Sequence, residues 1–258
     1  MDVISRRLPN GALDLLRQIV LFCGAYWLYR LVRGLVDGRA PEAFENARSV
    51  IAVERDLGLF FEPALHAWAS AHALVIDVAS WMYVNSHFAV TTVALAWLYL
   101  RRNERFYFVR NMFMVAMGIA LVGYMALPTA PPRFMPEWGF TDSVAAFTGV
   151  EADSASADLL FNPYAAIPSM HVAFALMLGV AMAKIVRRRW ARALWLAYAP
   201  VVSFVVVATA NHWWLDAFLG AVVAVAAAAC AQGLFARARP EVWAWDVPPR
   251  SGPEPVLP

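Results

Sequence analysis

Hydrophobic residues in this chain occur in long runs that are separated by short polar segments, with no sustained alternation of the kind that a strand shows. A helix that crosses a membrane needs about 20 mostly apolar residues, and the chain offers six such stretches. The pattern therefore predicts an all-α, polytopic membrane bundle with six transmembrane helices. The predicted spans are residues 19–35, 73–100, 106–127, 169–186, 193–209 and 212–235.

The second stretch, 73–100, is longer than a membrane requires. As one helix, its 28 residues would extend roughly 42 Å, whereas the hydrocarbon core is about 30 Å thick. The segment must therefore tilt, protrude or break near the polar residues at 85–87. We count it as a single second span.

The polar segments divide the chain into four parts. Residues 1–36 form a cytoplasmic N-terminus and the first membrane helix, which has no prompt cleavage site and is retained. Residues 37–72 carry mixed charges, glycine and proline, which is typical of an extracytoplasmic segment lying at the membrane interface. Residues 73–236 form the membrane core with the candidate site. Residues 237–258 are proline-rich and predict a disordered cytoplasmic tail.

Composition supports a membrane protein. Hydrophobic residues make up 61% of the 258 residues and charged residues 16%, against about 45–50% and 25% in soluble domains. A net charge of only +2 gives no indication of a nucleic-acid partner. The two cysteines lie in apolar runs and have no ligand spacing, so they indicate neither a disulfide framework nor a metal site.

Basic residues indicate the orientation in the membrane. With six spans, the arginines near the N-terminus, those in 101–105 and 184–192, and those after residue 236 all fall on one side, while the acidic loop 134–161 falls on the other. The positive-inside rule places the basic side in the cytoplasm. We therefore expect an integral protein of the cell membrane, with both termini cytoplasmic and the acidic loop outside.

Four polar side chains are expected to meet at the extracytoplasmic face. Arg133 follows the third span, His171 opens the fourth, and His212 and Asp216 open the sixth. Ionisable groups at membrane depth are costly, so they mark a candidate functional site. Because the site opens at the membrane surface, its natural ligand is a lipid that carries an anionic group.

The residue types at this face suit phosphoryl transfer. His212 and Asp216 are four residues apart, so the carboxylate can orient the imidazole and leave one nitrogen free as a nucleophile. His171 can protonate a leaving oxygen. Ser169 and the amides at a helix N-terminus can hold an anion, and Arg133 can bind a phosphate with two N–H groups.

Two motifs resemble those of the type 2 phosphatidic acid phosphatase superfamily. The family's Pro-Ser-Gly-His appears here as Pro168-Ser169-Met170-His171, and its His-x-x-x-Asp as His212 to Asp216. The resemblance implies that His212 is transiently phosphorylated, that Asp216 orients it and that His171 protonates the leaving group. It implies no cofactor and no metal.

The chain departs from the wider family in ways that resemble one branch of it. Val205 and Val206 replace a Ser-Arg pair, and Ala126 stands where the first motif has lysine. The proline-rich stretch before Arg133 and the Asn211-His212 pair resemble the branch that includes inositol phosphorylceramide synthase. That resemblance implies a phosphotransferase that moves a phospho-head group between lipids, with a lipid hydroxyl or water as acceptor.

Other side chains are weaker candidates for substrate binding, and several alternatives stay open. Asn211, Tyr164 and His87 join Arg133 and Ser169 as candidates, His87 because a Tyr-x-x-x-His also occurs in that branch. The two histidines and Asp216 are also good zinc ligands, or could serve only as helix caps. A lipid phosphate or polyprenyl diphosphate phosphatase, and a non-catalytic protein that binds or transports anionic lipid, remain alternatives. The sequence does not predict the oligomeric state.

Overall fold

The computed structural model describes residues 8–149, 164 and 166–246, and within them it is helical with no β-strand. The all-α prediction is therefore confirmed for the described chain. The α-helices are α1 Gly11–Val36, α2 Ala40–Asp56, α3 Glu62–Ser70, α4 Ala73–Trp81, α5 His87–Arg101, α6 Asn103–Ala126, α7 Ser143–Thr148, α8 Met170–Ile185, α9 Arg189–Ala208, α10 Trp214–Ala229, α11 Ala236–Ala238 and α12 Pro240–Trp243.

Within the described part of the chain, four helical segments are long and apolar enough to cross a membrane. They are Gly11–Leu28 within α1, Asn103–Ala126, Arg189–Ala208, and Trp214–Ala238, which continues α10. The apolar helix α8 is shorter, since its 16 residues extend only about 24 Å. The membrane class is thus supported, whereas spans at α8 and at α4–α5 remain predictions.

The long predicted second span is a helix with an irregular centre. A π-helical turn, Met82–Ser86, joins α4 to α5 next to the polar residues at 85–87. Within this turn the Ser86 hydroxyl donates to the Met82 carbonyl oxygen at 2.5 Å, and the Asn85 amide donates to the Trp81 carbonyl oxygen at 3.0 Å. Such turns occur often at functional sites, and this one contains Tyr83 and directly precedes His87.

Helix α8 lies at the centre of the bundle and packs against α6, α9 and α10. Leu178 of α8, Val109 of α6 and Ala227 of α10 are fully buried together. Gly179 permits a close approach of α9, because a Cβ there would lie 2.5 Å from the Trp195 carbonyl oxygen. Small residues allow helix backbones to approach in this way inside membrane bundles.

The predicted interfacial segment contains two helices, α2 and α3. Its apolar face, with Ala47 and Ile51 of α2, packs on Met135 and Phe140 of the loop after α6 and on Trp213 before α10. These two helices therefore cover the N-terminal end of α10, which is the end that carries Asp216.

The first ten residues of the predicted tail, 237–246, are described and include helix α12. Trp243 and Trp245 pack against the core, and the Asn111 amide donates to the Val242 carbonyl oxygen at 2.9 Å. Residues 247–258 lie outside the described part of the chain.

Candidate active site

His212 has one ring nitrogen fixed between two acceptors. Its Nδ1 lies 3.3 Å from Asp216 Oδ2 and 3.0 Å from the Ala166 carbonyl oxygen. Since a carbonyl oxygen can only accept, Nδ1 must carry the proton and donate it. In the neutral imidazole the lone pair therefore lies on Nε2, which is the tautomer that a nucleophilic histidine needs.

Asp216 is fully buried and held by the backbone as well as by His212. Its Oδ2 accepts from the Trp213 N–H at 2.9 Å, so the carboxylate caps the start of α10. Its Oδ1 is buried and has no hydrogen-bond partner among the described residues. The carboxylate is thus placed by the helix that carries it, and it does not depend on the histidine for its position.

The turn before α10 presents His212 by a sharp reversal at the end of α9. The N–H groups of Asn211 and His212 both donate to the Val206 carbonyl oxygen at 3.0 Å, and Ala210 adopts a left-handed conformation with φ of 56°. This region is unfavourable for a residue with a Cβ, so the surrounding contacts must hold it. The Trp213 indole donates to the Ala130 carbonyl oxygen at 3.0 Å and anchors the turn.

Ser169 joins the start of α8 to the start of α10. Its hydroxyl accepts from the Val172 N–H at 3.5 Å, which confirms it as the N-cap of α8. Its own N–H donates to the Asp216 carbonyl oxygen at 3.0 Å, so that amide is already occupied. Gly220 allows this contact, because a Cβ on it would lie 2.2 Å from the Ser169 carbonyl oxygen.

Three histidine rings and one tyrosine ring form a cluster at this end of the bundle. The centroid of His171 lies 5.6 Å from that of His212, 4.5 Å from that of His87 and 4.7 Å from that of Tyr83. His87 in turn stacks on Phe174 at 5.6 Å. The structure therefore brings His87 to the candidate site, where its Nδ1 is buried and has no partner among the described residues.

Arg133 reaches the site from a 3₁₀ turn that follows α6. Its backbone N–H donates to the Ala210 carbonyl oxygen at 2.8 Å, and its guanidinium donates to the Asn211 side-chain oxygen. Its Nε lies 3.5 Å from Asp142 Oδ2, and its side chain is only 9% exposed. The low exposure shows that Arg133 is part of the site wall, and it is not a residue extending to the membrane surface.

Tyr164 lies beside the 3₁₀ turn that carries Arg133. Its ring packs edge-on to Phe44 at 6.3 Å and near Phe134 at 6.4 Å. Its carbonyl oxygen accepts from the Thr129 N–H at 2.9 Å. Tyr164 thus contributes to the loop wall of the site. The neighbouring Asn162 lies outside the described residues.

Several residues of the site were not predicted from the sequence. Asp142 pairs with Arg133, and the Ala166 carbonyl oxygen fixes His212. Glu54 and Glu62 are fully buried and bind the first N–H groups of α10. No local pattern indicated them, because the two glutamates lie among mixed charges in a segment that is expected to be solvated.

In chemical terms, the site combines an oriented imidazole, a second imidazole and a guanidinium. Within the described parts of the chain, no group of three or more histidine, cysteine, aspartate or glutamate side chains is arranged to hold a metal ion. The arrangement suits attack by His212 Nε2 on an electrophile whose negative charge is met by Arg133, with His171 beside the departing atom.

Fold and site together define a helical membrane protein with a buried His–Asp pair and a second histidine at the ends of neighbouring helices. A family model described as the PAP2 superfamily matches residues 48–230, which contain every one of these side chains. The chain belongs to the PAP2 superfamily. No curated protein and no solved structure matches it significantly. Membership suggests phosphatase or phosphotransferase activity on lipid phosphates.

Proposed function

We propose that this protein is a membrane phosphotransferase that moves a phospho-head group from a lipid phosphate donor to a second lipid through a phosphohistidine on His212. The observation that carries the proposal is the geometry of His212. Its Nδ1–H is bound by Asp216 and by the Ala166 carbonyl oxygen, while its ring lies against His171. One nitrogen is thereby left as a nucleophile beside a proton donor.

The first step of the proposed reaction forms the phosphohistidine. His212 Nε2 attacks the phosphorus of the donor, an N–P bond forms, and the P–O bond to the donor's leaving alcohol breaks. The leaving oxygen takes a proton from His171. Asp216 stabilises the positive charge that develops on the His212 ring, and Arg133 stabilises the charge on the phosphoryl oxygens.

The second step reverses these roles. The acceptor hydroxyl gives its proton to His171 and attacks phosphorus, the P–O bond to the acceptor forms, and the N–P bond to His212 breaks. A lipid hydroxyl yields a new phospholipid, whereas water yields a free phosphate compound. The same site can therefore support transfer or hydrolysis, depending on which acceptor reaches it.

The charge of the site favours a donor with a single negative charge. Arg133 is already paired with Asp142, which offsets part of its charge. The positions where the wider family has Ser-Arg hold Val205 and Val206, both buried in apolar packing. A phosphodiester carries one negative charge and a phosphomonoester up to two, so a site with this cation content fits a phosphodiester lipid and head-group transfer better.

The proposal also includes the side of the membrane. His171 and Asp216 lie at the N-terminal ends of α8 and α10, and Arg133 follows the C-terminal end of α6. These ends share one face of the bundle, and the basic residues of 101–105 and 184–192 belong to the opposite ends of the same helices. The positive-inside rule then places the site at the extracytoplasmic face.

The test is an activity assay of the purified full chain in detergent with mixed lipids. Phosphatidylinositol, phosphatidylglycerol phosphate and polyprenyl diphosphate serve separately as donors, and new phospholipid and free phosphate are measured together. His212→Ala is the loss-of-function variant. His72→Ala is the matched control, since His72 is exposed and its ring bonds the Trp68 carbonyl oxygen one turn before it.

We expect a new phospholipid from a phosphodiester donor, its loss in His212→Ala and no change in His72→Ala. Free phosphate that depends on His212 would instead identify a lipid phosphate phosphatase. Lipid binding without turnover, and with the His212→Ala protein changed only in affinity, would identify the non-catalytic alternative. Radiolabel from the donor retained on the wild-type protein, and labile in acid, would support the phosphohistidine.

A further inference from the structure

Two buried glutamates bind the first free N–H groups of α10. Glu54 Oε1 accepts from the Leu215 N–H at 3.2 Å, and Glu62 Oε1 accepts from the Trp214 N–H at 3.1 Å. Both glutamates are fully buried. Helix N-termini attract negative groups, but carboxyl groups are almost never fully buried unless they are paired.

The remaining oxygens of the two glutamates have no other donor. Oε2 of Glu54 and Oε2 of Glu62 are buried and lack a hydrogen-bond partner among the described side chains and backbone. Because the two carboxyl groups bind adjacent N–H groups, they lie side by side at the same helix end. Two carboxylates cannot share such a contact unless one of them carries a proton that it donates to the other.

The electrostatics of Glu54 agree with this geometry. Burial, reinforced by the adjacent carboxyl of Glu62, raises the pKa of Glu54 to about 10. The titratable groups that face Glu54 are Glu62 on α3 and Asp216 on α10, both acidic. Its own neighbours on α2, Arg55 and Asp56, are exposed.

These contacts lead directly to the candidate catalytic pair. Three consecutive N–H groups, those of Trp213, Trp214 and Leu215, are bound by the carboxyl groups of Asp216, Glu62 and Glu54 in turn. The three acids come from α10, α3 and α2. The position of Asp216, and through it that of the His212 ring, is therefore fixed by the covering segment as well as by α10.

We propose that Glu54 and Glu62 are positioning residues that hold one proton between them and fix the N-terminus of α10, so that Asp216 stays in contact with His212 Nδ1. The proposal rests on the proposed function of His212. The shared proton keeps the pair at one negative charge beside Asp216. Glu54 and Glu62 thus support the candidate site without touching the substrate.

The variants separate a proton-sharing pair from a simple structural contact. In Glu54→Gln the amide N–H replaces the shared proton, while its oxygen still accepts from Leu215. In Glu54→Ala both contacts are lost. Glu45→Gln is the matched control, because Glu45 lies exposed on the same helix.

We expect Glu54→Gln and Glu45→Gln to keep kcat within about threefold of wild type. Glu54→Ala should lower kcat by about tenfold to a hundredfold with KM little changed, since a small displacement of a catalytic group costs that much. An inactive Glu54→Gln, or a fully active Glu54→Ala, would overturn the proposal.

A second measurement does not depend on activity. A carboxyl whose pKa is raised in the folded state stabilises the fold fully below its unfolded pKa, and this contribution is lost as pH rises through the folded value of about 10. The thermal unfolding temperature of wild type should therefore fall between pH 5 and pH 10, and that of Glu54→Gln should fall less. An equal fall of the unfolding temperature with pH in wild type and Glu54→Gln would overturn the shared proton, even if the proposed activity is absent. Activity that is unaffected by His212→Ala would overturn only the proposed function.

Discussion

Two buried polar clusters lie near opposite ends of α6, and they differ in how completely their polar atoms are paired. In the cluster near the N-terminus of α6, Asp14 accepts from Tyr99 at 2.9 Å, Tyr107 at 2.8 Å and Gln18 at 3.0 Å. Arg110 donates to Gln18 at 2.6 Å and lies over the Tyr107 ring. This cluster secures α1 to the bundle, and its charged groups all have partners.

The candidate site at the other end is less fully paired. Asp216 Oδ1 and His87 Nδ1 are buried without partners among the described residues, and Ala210 is held at a positive φ. Unpaired buried polar atoms and backbone strain cost free energy, so they persist mainly where function requires them. We therefore expect the paired cluster to stabilise the fold and, under the proposed function, the less fully paired cluster to carry the chemistry.

The largest expected effect comes from changing one carboxylate in each cluster to an amide. Asp216→Asn removes the carboxylate charge that stabilises the positive charge developing on the His212 ring, and we expect kcat to fall by about 10³ to 10⁴ with thermal stability unchanged or raised. Asp14→Asn loses charge-assisted bonds from Tyr99 and Tyr107, so it should lose about 1–3 kcal/mol of stability and keep its kcat.

Head-group transfer assays and thermal unfolding in detergent, on both proteins, check this pair of predictions. If Asp14→Asn lost turnover while it remained folded, or if Asp216→Asn stayed active, the division between a structural and a chemical cluster would be wrong. His212→Ala supplies the baseline for complete loss of activity.

The next effect concerns the close approach of α10 to Ser169. Gly220→Ala introduces a Cβ that would lie 2.2 Å from the Ser169 carbonyl oxygen, so the helices must separate. We expect at least a tenfold loss of kcat and a loss of about 1–3 kcal/mol in stability. Gly118→Ala is the control, because α6 has open space there, and a helical alanine should leave activity unchanged and stability equal or higher.

The kcat values and the unfolding temperatures of the two alanine variants test this prediction. A Gly220→Ala protein with wild-type kcat would show that the contact between Ser169 and Asp216 does not position the site. A destabilised Gly118→Ala would show instead that glycine itself, and not the close approach, is needed in these helices.

A smaller effect is expected from replacing one arginine by lysine near each end of α6. Lysine in place of Arg133 cannot bind Asn211, Asp142 and a phosphate at once, because it lacks the planar fork of donors. We expect KM to rise by about tenfold, which corresponds to one charge-assisted hydrogen bond of about 1.4 kcal/mol. Arg110→Lys should lower stability without changing KM. An unchanged KM in Arg133→Lys would remove Arg133 from substrate binding.

The sequence predicts the site's reactive residues better than it predicts their support. His171, His212, Asp216 and Arg133 were expected to meet because each lies at the same end of a predicted span, and the rings of His171 and His212 are indeed 5.6 Å apart. Motif spacing and helix ends are local properties, so they can be inferred from one chain.

The support of the site is a tertiary property. Glu54 lies 161 positions before Leu215, whose N–H it binds, in a segment whose mixed charge predicts a location at the membrane interface, and only packing buries it. In the same way, the amide of Ser169 looked available to an anion, but it bonds the Asp216 carbonyl oxygen. The π-helical turn at Met82–Ser86 was visible only as a length mismatch in the second span.

The smallest effect on activity is expected at His87, and it tests the comparison most directly. His87→Phe keeps an aromatic ring that can stack on Phe174 and His171, and it deletes the unpaired Nδ1. We therefore expect stability to rise by about 1 kcal/mol and kcat to fall by less than about tenfold.

Tyr99→Phe at the paired cluster is the converse, because it removes a hydroxyl that bonds Asp14, so stability should fall by about 1 kcal/mol with kcat unchanged. Thermal unfolding and turnover of the two variants measure both effects. If His87→Phe were destabilised and Tyr99→Phe were not, pairing of polar atoms would no longer distinguish the two ends of α6. Complete loss of turnover in a stable His87→Phe would instead place His87 among the residues that exchange protons with His171.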